Sequence, residues 1–167
     1  MNVSNLAFYI GKSSNKNVAI YSYVIADTES QTIDIFNPLE CYWIMREQTG
    51  NPREELTYIE KTMAYGFDIA PEADGFSNDS TIEIKVKALP NDSIRIQKID
   101  GKYQSIISIP DPKTMESRDM FLKKVFCHVS GPLSNFVESI DFIYEDPKSK
   151  KLKTYSRTEN KGLTPSH

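Results

Sequence analysis

The feature that most constrains this chain is a repeated alternation of apolar and polar residues with a period of two. Between residues 82 and 88, isoleucine, valine and alanine occupy every second position, and glutamate or lysine fills each position between them. Because successive side chains of a β-strand point to opposite faces of a sheet, this pattern predicts a strand with one buried face and one solvated face. Short apolar runs recur along the chain, so the sequence favours a fold made mainly of β-strands.

Turn signals divide these runs into hairpins. The loop GKSSNKN separates the apolar residues at 8–10 from those at 18–25, which predicts two antiparallel strands. In the segment 93–109, Asp100-Gly101 lies between two apolar-patterned arms. An Asp-Gly pair supplies the positive φ angles of a type I′ turn, so a second hairpin is predicted there.

One segment has helical spacing instead. Asn51 and Pro52 suit the cap and the first position of a helix, and Glu54 is spaced to reach back to the cap. Apolar residues then recur at helical spacing as far as Met63, and a glycine follows as a terminator. These signals predict one α-helix near 52–65.

Together these elements predict a single β-rich domain at residues 1–157 and a flexible C-terminal tail at residues 158–167. The predicted architecture is an antiparallel β-sandwich of about eight to ten short strands, with the α-helix covering an open end or edge. A closed β-barrel is the alternative that the pattern leaves open. The 167 residues are enough to bury a core without disulfide or metal staples.

The overall charge argues against some classes of partner. The formal net charge is -3, which does not draw the chain toward nucleic acid. No stretch approaches the ~20 apolar residues that a membrane span needs, and the N-terminus lacks the features of a signal peptide. We therefore expect a cytoplasmic protein, or a secreted one if a leader is removed before residue 1.

The sequence contains no recognisable catalytic or cofactor motif. It has no Gly-rich phosphate loop, nucleophile elbow or zinc signature, so we predict no catalytic residue, no cofactor and no metal. Cys41 and Cys127 are expected to be reduced core residues, with a disulfide as the alternative. His128 adjoins Cys127, but neighbouring strand residues diverge, which favours a structural His128 over a catalytic dyad.

The densest stretch, residues 42–67, contains the candidate binding surface. It holds the only tryptophan, followed by charged and aromatic residues at helical spacing. Large amphipathic side chains often anchor protein partners, although the same residues can also be packing and rim salt bridges. The candidate binding residues are Trp43, Arg46, Glu47, Glu54, Tyr58 and Tyr65.

A basic run lies near the C-terminus. Residues 148–161 hold six lysines and arginines against one acid, Glu159. Such a run can contact an acidic partner or anionic lipid, but more often it is a solvated hairpin tip and tail. We favour the solvated interpretation.

Four short motifs carry a resemblance to a known family. They are YWIM at 42–45, REEL at 53–56, YIE at 58–60 and AYG at 64–66. On these residues the chain resembles an uncharacterised bacterial family, domain of unknown function 4833. The resemblance implies no activity, cofactor or catalytic residue, and many relatives look exported, so localisation does not transfer from it.

Three functions are compatible with these observations. The first is a non-enzymatic binding domain for an unknown protein partner, centred on strand 42–47 and helix 51–65. The second is a carrier of a small apolar, lipid-like ligand inside a barrel lined by aromatics such as Phe126, Phe136 and Phe142. A weaker third is a hydrolase that uses Glu or Tyr residues near the rim.

Overall fold

The structure of this protein is a computed structural model that describes residues 5–13, 15–45, 54–55, 69–71, 81–86, 89, 91–129 and 136–162. Its regular structure in these ranges consists of β-strands. The strands are β1 (Leu6–Lys12), β2 (Asn15–Tyr23), β3 (Ile25–Asp27), β4 (Thr32–Ile33), β5 (Leu39–Met45), β6 (Glu54–Glu55), β7 (Ile69–Pro71), β8 (Ile82–Val86), β9 (Ile94–Ile99), β10 (Lys102–Pro110), β11 (Ser117–Val129), β12 (Phe136–Glu145) and β13 (Leu152–Gly162).

Eleven of these strands form one sheet. Its main path runs β6-β5-β2-β1-β11-β10-β9-β8-β7, while β12 pairs with β11 and β13 pairs with β12. The strands β3 and β4 form a separate two-stranded sheet. Among the described pairs, β1 and β11 run parallel, and the others are antiparallel.

The fold branches on β11. One edge of this strand pairs with β12 from Phe121 to Val129. The other edge pairs with β10 as far as Phe121 and with β1 from Lys124 onward. A register shift between Leu122 and Lys124 marks the branch, as expected where a strand bends. The sheet therefore divides into a first arm (β1, β2, β5) and a second arm (β10, β9, β8), and both arms share β11–β13.

The two arms and the shared strands enclose one hydrophobic core. Ile10 and Tyr21 of the first arm, Ile84 and Ile96 of the second arm, and Phe142 of the shared strands are buried in the same cluster. Removing apolar surface from water stabilises a fold by about 25 cal/mol per Å². Contacts between the arms are therefore a main source of the stability of this fold.

Polar contacts also join the arms. The hydroxyl groups of Tyr23 and Ser105 form a buried hydrogen bond of 2.7 Å between β2 and β10. The backbone N–H of Ile33 donates to the hydroxyl oxygen of Tyr103 at 3.0 Å, which attaches β4 to the second arm. The Tyr23–Ser105 hydrogen bond fixes how the two arms face each other, and the Ile33–Tyr103 hydrogen bond holds the small sheet on the second arm.

The structure confirms the mainly β fold class. The sheet is strongly curled and forms a half-barrel, whose arms face each other as in a sandwich but remain parts of one sheet. The predicted alternation holds in β8, where Ile82 and Ile84 are buried and Lys85 is exposed. The predicted 93–109 hairpin is also present, and its turn has φ angles of 52° and 80° at residues 100 and 101. The purely antiparallel arrangement is wrong in one place, because β1 and β11 are parallel.

The helix predicted near 52–65 is wrong where the structure describes that segment. Glu54–Glu55 form β6, which pairs antiparallel with β5. No helix occurs elsewhere in the described ranges, and residues 51–53 and 56–65 lie outside them. A helix cap contributes only ~1 kcal/mol, whereas the edge of β5 offers partners to several backbone N–H and C=O groups. The tertiary pairing therefore outweighs the local helix signal.

The last strand reaches beyond the boundary that the sequence suggested at residue 157. β13 continues to Gly162 and stays paired with β12 to that point. Residues after 162 lie outside the described part of the chain. The first residues of the segment expected to be a tail therefore belong to the sheet.

Candidate functional site

Two of the six candidate binding residues are neighbours across strands. Trp43 lies in β5, and it pairs with Ala19 of β2 on one side and with Glu54 of β6 on the other. Strand pairing, and not a helix, brings Trp43 and Glu54 together. The other four candidates lie outside the described residues: Arg46, Glu47, Tyr58 and Tyr65.

A row of paired residues leads from β5 across the outer face of the sheet, which is the face opposite the main core. The successive pairs are Tyr42 with Ile20, Ile20 with Tyr9, and Tyr9 with Lys124. Ile20 and Tyr42 are buried with Val18 in a second apolar cluster, and Tyr9 packs against it. Neighbouring strands lie ~4.8 Å apart, so about 15 Å separates the two ends of the row.

Beyond Tyr9 the outer face becomes polar and partly exposed. We call this surface the outer-face strip. Its members are Tyr9 of β1, Lys124, Phe126 and His128 of β11, Asp141 of β12 and Ser156 of β13. The period of two explains the strip, because the intervening residues Val125 and Cys127 are buried in the main core.

The ammonium group of Lys124 lies near two aromatic rings. Its nitrogen is 5.5 Å from the ring centroid of Tyr9 and 5.4 Å from that of Phe126. The negative face of an aromatic ring attracts a cation at this distance by about 0.5–1 kcal/mol at exposed sites. Lys124 forms no hydrogen bond or ion pair within the part of the chain that the structure describes. Its three N–H donors are therefore available to a ligand.

A glycine in β1 lies opposite the ring of Phe126. Gly11 pairs with Phe126 across the parallel strands. A Cβ atom on Gly11 would lie 3.4 Å from Cδ1 of Phe126 and 4.0 Å from Cγ2 of Val18. A methyl group there would make only ordinary van der Waals contact, and the ring lies beside β1, close to Lys124. On its other side the ring meets His128 edge-on, with ring centroids 4.9 Å apart and an interplanar angle of 73°.

Asp141 connects His128 with Ser156. The Nε2–H group of His128 donates to Oδ2 of Asp141 at 2.8 Å, and the hydroxyl of Ser156 donates to Oδ1 at 2.7 Å. Burial disfavours the ionised carboxylate, but these hydrogen bonds and the charge of His128 outweigh it and hold the pKa of Asp141 below its usual value. Asp141 therefore orients the imidazole, whose Nδ1 atom makes no hydrogen bond to any described residue.

This arrangement orients a histidine but does not activate a nucleophile. In a Ser-His-Asp triad the histidine lies between the other two groups, whereas here Asp141 lies between His128 and Ser156. Cys127 points into the core, where burial raises the pKa of its thiol to about 12. As the alternation predicted, Cys127 and His128 therefore lie on opposite faces. The strip offers an ammonium donor, an oriented imidazole and aromatic surface, which are means of binding a polar partner.

No group of three or more His, Cys, Asp or Glu side chains among the described residues could hold a metal ion. Cys41 and Cys127 are not in a disulfide, and Cys41 packs against the core cluster that contains Cys127. None of the described segments forms a helix with the length and apolarity needed to cross a membrane.

Sequence reasoning missed the strip because its members come from four strands that are distant in the chain. The alternation within β11 was the one available signal, since Lys124, Phe126 and His128 occupy every second position. Phe126 was expected to line an apolar interior, but it lies on the outer face, while Phe142 is buried in the core. The side chain of Phe136 lies outside what the structure describes.

The half-barrel and its strip define a mainly β domain with a candidate binding face. The chain belongs to the family described as Domain of unknown function (DUF4833), whose sequence model matches residues 8–155. The match includes five of the six strip residues and ends one residue before Ser156. The resemblance noted at residues 42–66 is thereby confirmed. Neither a curated protein nor a solved structure matches the chain.

Proposed function

We propose that this protein is a non-enzymatic binding domain whose protein partner docks on the outer-face strip. The observation that carries the proposal is the position of Lys124, partly exposed between the rings of Tyr9 and Phe126 and without an ionic partner among the described residues. Aromatic rings around a charged donor are frequent anchors of protein partners. Because the rings pre-position the ammonium group, binding costs little side-chain entropy.

The strip also adjoins the region to which the sequence pointed. The row from Tyr42 to Lys124 joins β5 to the strip, so a partner on the strip lies within about 15 Å of Tyr42 in β5. His128 adds a second polar contact, because Asp141 holds its ring in one orientation. A partner with an acidic group near Lys124 and a hydrogen-bonding group near His128 fits this arrangement.

The alternative functions have weaker support. A carrier of apolar ligands requires an open interior, but Phe8 of β1 and Tyr21 of β2 stack on each other in the core, with ring centroids 4.6 Å apart, and are fully buried. A hydrolase requires a nucleophile within reach of an oriented base, and Ser156 donates instead to the carboxylate of Asp141. Binding is the function that these contacts favour.

Selection of a random-peptide library on the immobilised full chain tests the proposal. Enriched peptides are expected to lose about tenfold in affinity, or ~1.4 kcal/mol, for Lys124→Gln and for His128→Gln. The matched control is Lys102→Gln, which removes an exposed lysine from the β9–β10 turn region and should change nothing.

Two outcomes contradict the proposal. Peptides that bind both strip variants as tightly as the wild type would place the binding surface elsewhere. A lipid-like molecule that co-purifies with the protein in native mass spectrometry, together with no enriched peptide, would favour the carrier function. Circular dichroism of each variant checks that the fold is retained.

A further inference from the structure

β13 forms an edge of the sheet. Among the described strands it pairs with β12 alone. Alternate residues of a strand direct their N–H and C=O groups to opposite sides, so half of these groups in β13 point away from β12. From residue 152 to 158, those groups make no hydrogen bond to any part of the described chain.

This edge is long and open to solvent. Seven residues of extended strand span about 24 Å. Leu152 is 66% exposed, and the side chains of Thr154, Ser156 and Thr158 are exposed beside it on the outer face. An accessible edge of this length is a template for pairing with another strand.

A group of cations lies at one end of the edge. In the turn between β12 and β13, Lys148, Lys150 and Lys151 are exposed, and their ammonium groups have no ionic partner in the described ranges. Lys153 differs, because its ammonium group lies 3.3 Å from Oδ2 of Asp146. The turn therefore presents three uncompensated positive charges next to unpaired backbone groups.

We propose that the free edge of β13 binds an extended segment of a partner protein that carries Asp or Glu residues. Backbone hydrogen bonds to residues 152–158 would extend the sheet by one strand, and acidic side chains would meet the lysines of the turn. An apolar residue of the partner would cover Leu152. This site is separate from the proposed docking of a partner on the outer-face strip and does not depend on it.

A second copy of this chain fits the edge less well. A second copy would bring another lysine-rich turn and only one acid within residues 148–161, Glu159, which already accepts a hydrogen bond from Arg157. Like charges opposite each other destabilise paired strands, and lysines at sheet edges are a common means of preventing self-association. The same charges favour an acidic strand, which makes the edge selective.

Hydrogen-exchange NMR on the isotope-labelled full chain tests this proposal. The probe is a synthetic ten-residue peptide in which glutamate alternates with valine and threonine. At saturation, the amides of residues 152–158 that point away from β12 are expected to exchange at least about tenfold more slowly. Two control peptides should give no such protection: one with lysine in place of glutamate, and one with four consecutive central residues N-methylated.

Charge reversal in the turn gives a matched pair of variants. The double variant Lys148→Glu/Lys151→Glu should no longer bind the glutamate peptide and should bind the lysine peptide instead. The control Lys102→Glu/Lys113→Glu, at exposed positions elsewhere, should bind both peptides as the wild type does. Lys150 is left unchanged because its φ of 62° makes the turn sensitive to substitution there. Lys124→Gln should bind the glutamate peptide normally, which separates this site from the strip.

Several results would overturn the proposal. One is that millimolar glutamate peptide does not protect the edge amides from exchange. Another is that protection is confined to residues outside 152–158. A third is that the glutamate, lysine and N-methylated peptides bind equally well. A second copy of the chain would instead be the occupant if two results coincide in the absence of peptide. The edge amides would become more protected from exchange as the protein concentration rises, and sedimentation would show a dimer.

Discussion

The guanidinium group of Arg157 donates two hydrogen bonds to the carboxylate of Asp92, with N–O distances of 2.9 and 2.8 Å. Its Nε–H group donates to Glu159, and its Cζ atom lies 5.1 Å from the ring centroid of Phe142. Arg157 belongs to β13, whereas Asp92 precedes β9. This side-chain ion pair therefore ties the shared strands to the second arm, while the backbone edge of β13 stays unpaired in the described ranges.

Replacing Arg157 with Met should lower the free energy of unfolding by about 2–3 kcal/mol. The change leaves the largely buried carboxylate of Asp92 without its bidentate partner, and an uncompensated charge of this kind is costly. Urea denaturation measures the effect.

The control for this prediction is Lys153→Met. The pair between Lys153 and Asp146 has a longer N–O distance of 3.3 Å, and the lysine side chain is about half exposed. Its loss should cost under about 0.5 kcal/mol. Equal effects of the two variants would show that the Arg157–Asp92 pair does not hold the shared strands to the second arm.

Replacing Tyr23 with Phe should destabilise the protein by about 1 kcal/mol, because it leaves the buried hydroxyl of Ser105 without its partner. The double variant Tyr23→Phe/Ser105→Ala removes both polar groups and should be closer to the wild type in stability. Calorimetry of Tyr23→Phe, Ser105→Ala and the double variant checks this order. A double variant that loses the sum of the two single effects would contradict the hydrogen bond between the arms.

The contribution of Asp141 to the stability of the protein should depend on pH below about pH 4. The pKa of Asp141 is lowered in the folded state, so its contribution is present above the unfolded value of ~3.9 and is lost as the pH falls through the folded value. The difference in unfolding free energy between the wild type and Asp141→Asn should therefore shrink as the pH falls below about 4. Urea titrations at each pH measure it.

Ser156→Ala provides a graded comparison for the same prediction. It removes one of the two hydrogen bonds to Asp141 and keeps the contact with His128. The difference in unfolding free energy between the wild type and Ser156→Ala should change with pH in the same direction as for Asp141→Asn, but by a smaller amount. A difference between wild type and Asp141→Asn that stays constant with pH would refute the lowered pKa.

The thiol of Cys127 should resist alkylation in the native protein. Burial raises its pKa to about 12, so the reactive thiolate is scarce at pH 8, and the sulfur is also shielded from reagents. The variant Cys41→Ser isolates the signal of Cys127. Iodoacetamide should label Cys127 of this variant quickly in denaturant and very slowly in the folded protein. Fast labelling of the folded variant would contradict the burial of Cys127.

The predictable part of the fold follows from local patterns. The alternation in β8 predicts its buried residues Ile82 and Ile84, and the Asp100-Gly101 pair predicts the β9–β10 turn, because each depends on residues that are neighbours in the chain. The helix prediction failed for a related reason. Its signals are also local, and strand pairing at Glu54–Glu55 outweighs them.

The candidate site was predictable only in part. The sequence pointed to strand 42–47, and the structure joins that strand to the outer-face strip through Ile20 and Tyr9. The strip itself depends on contacts such as His128 with Asp141 and Gly11 with Phe126. Such contacts between strands leave no periodic signal in a single sequence.

By itself, the sequence determined that this chain is mainly β, which residues of β8 turn inward, and where the β9–β10 hairpin bends. Only the tertiary structure decided that β1 lies parallel to β11, that the sheet branches there into two arms, and that Lys124 and His128 share one exposed face. The physical reason is that side-chain alternation specifies the two faces of a strand, whereas its backbone groups can pair with any other strand. The partner is chosen by packing among residues as distant as Ser13 and Val129, whose contact forms only in the complete fold.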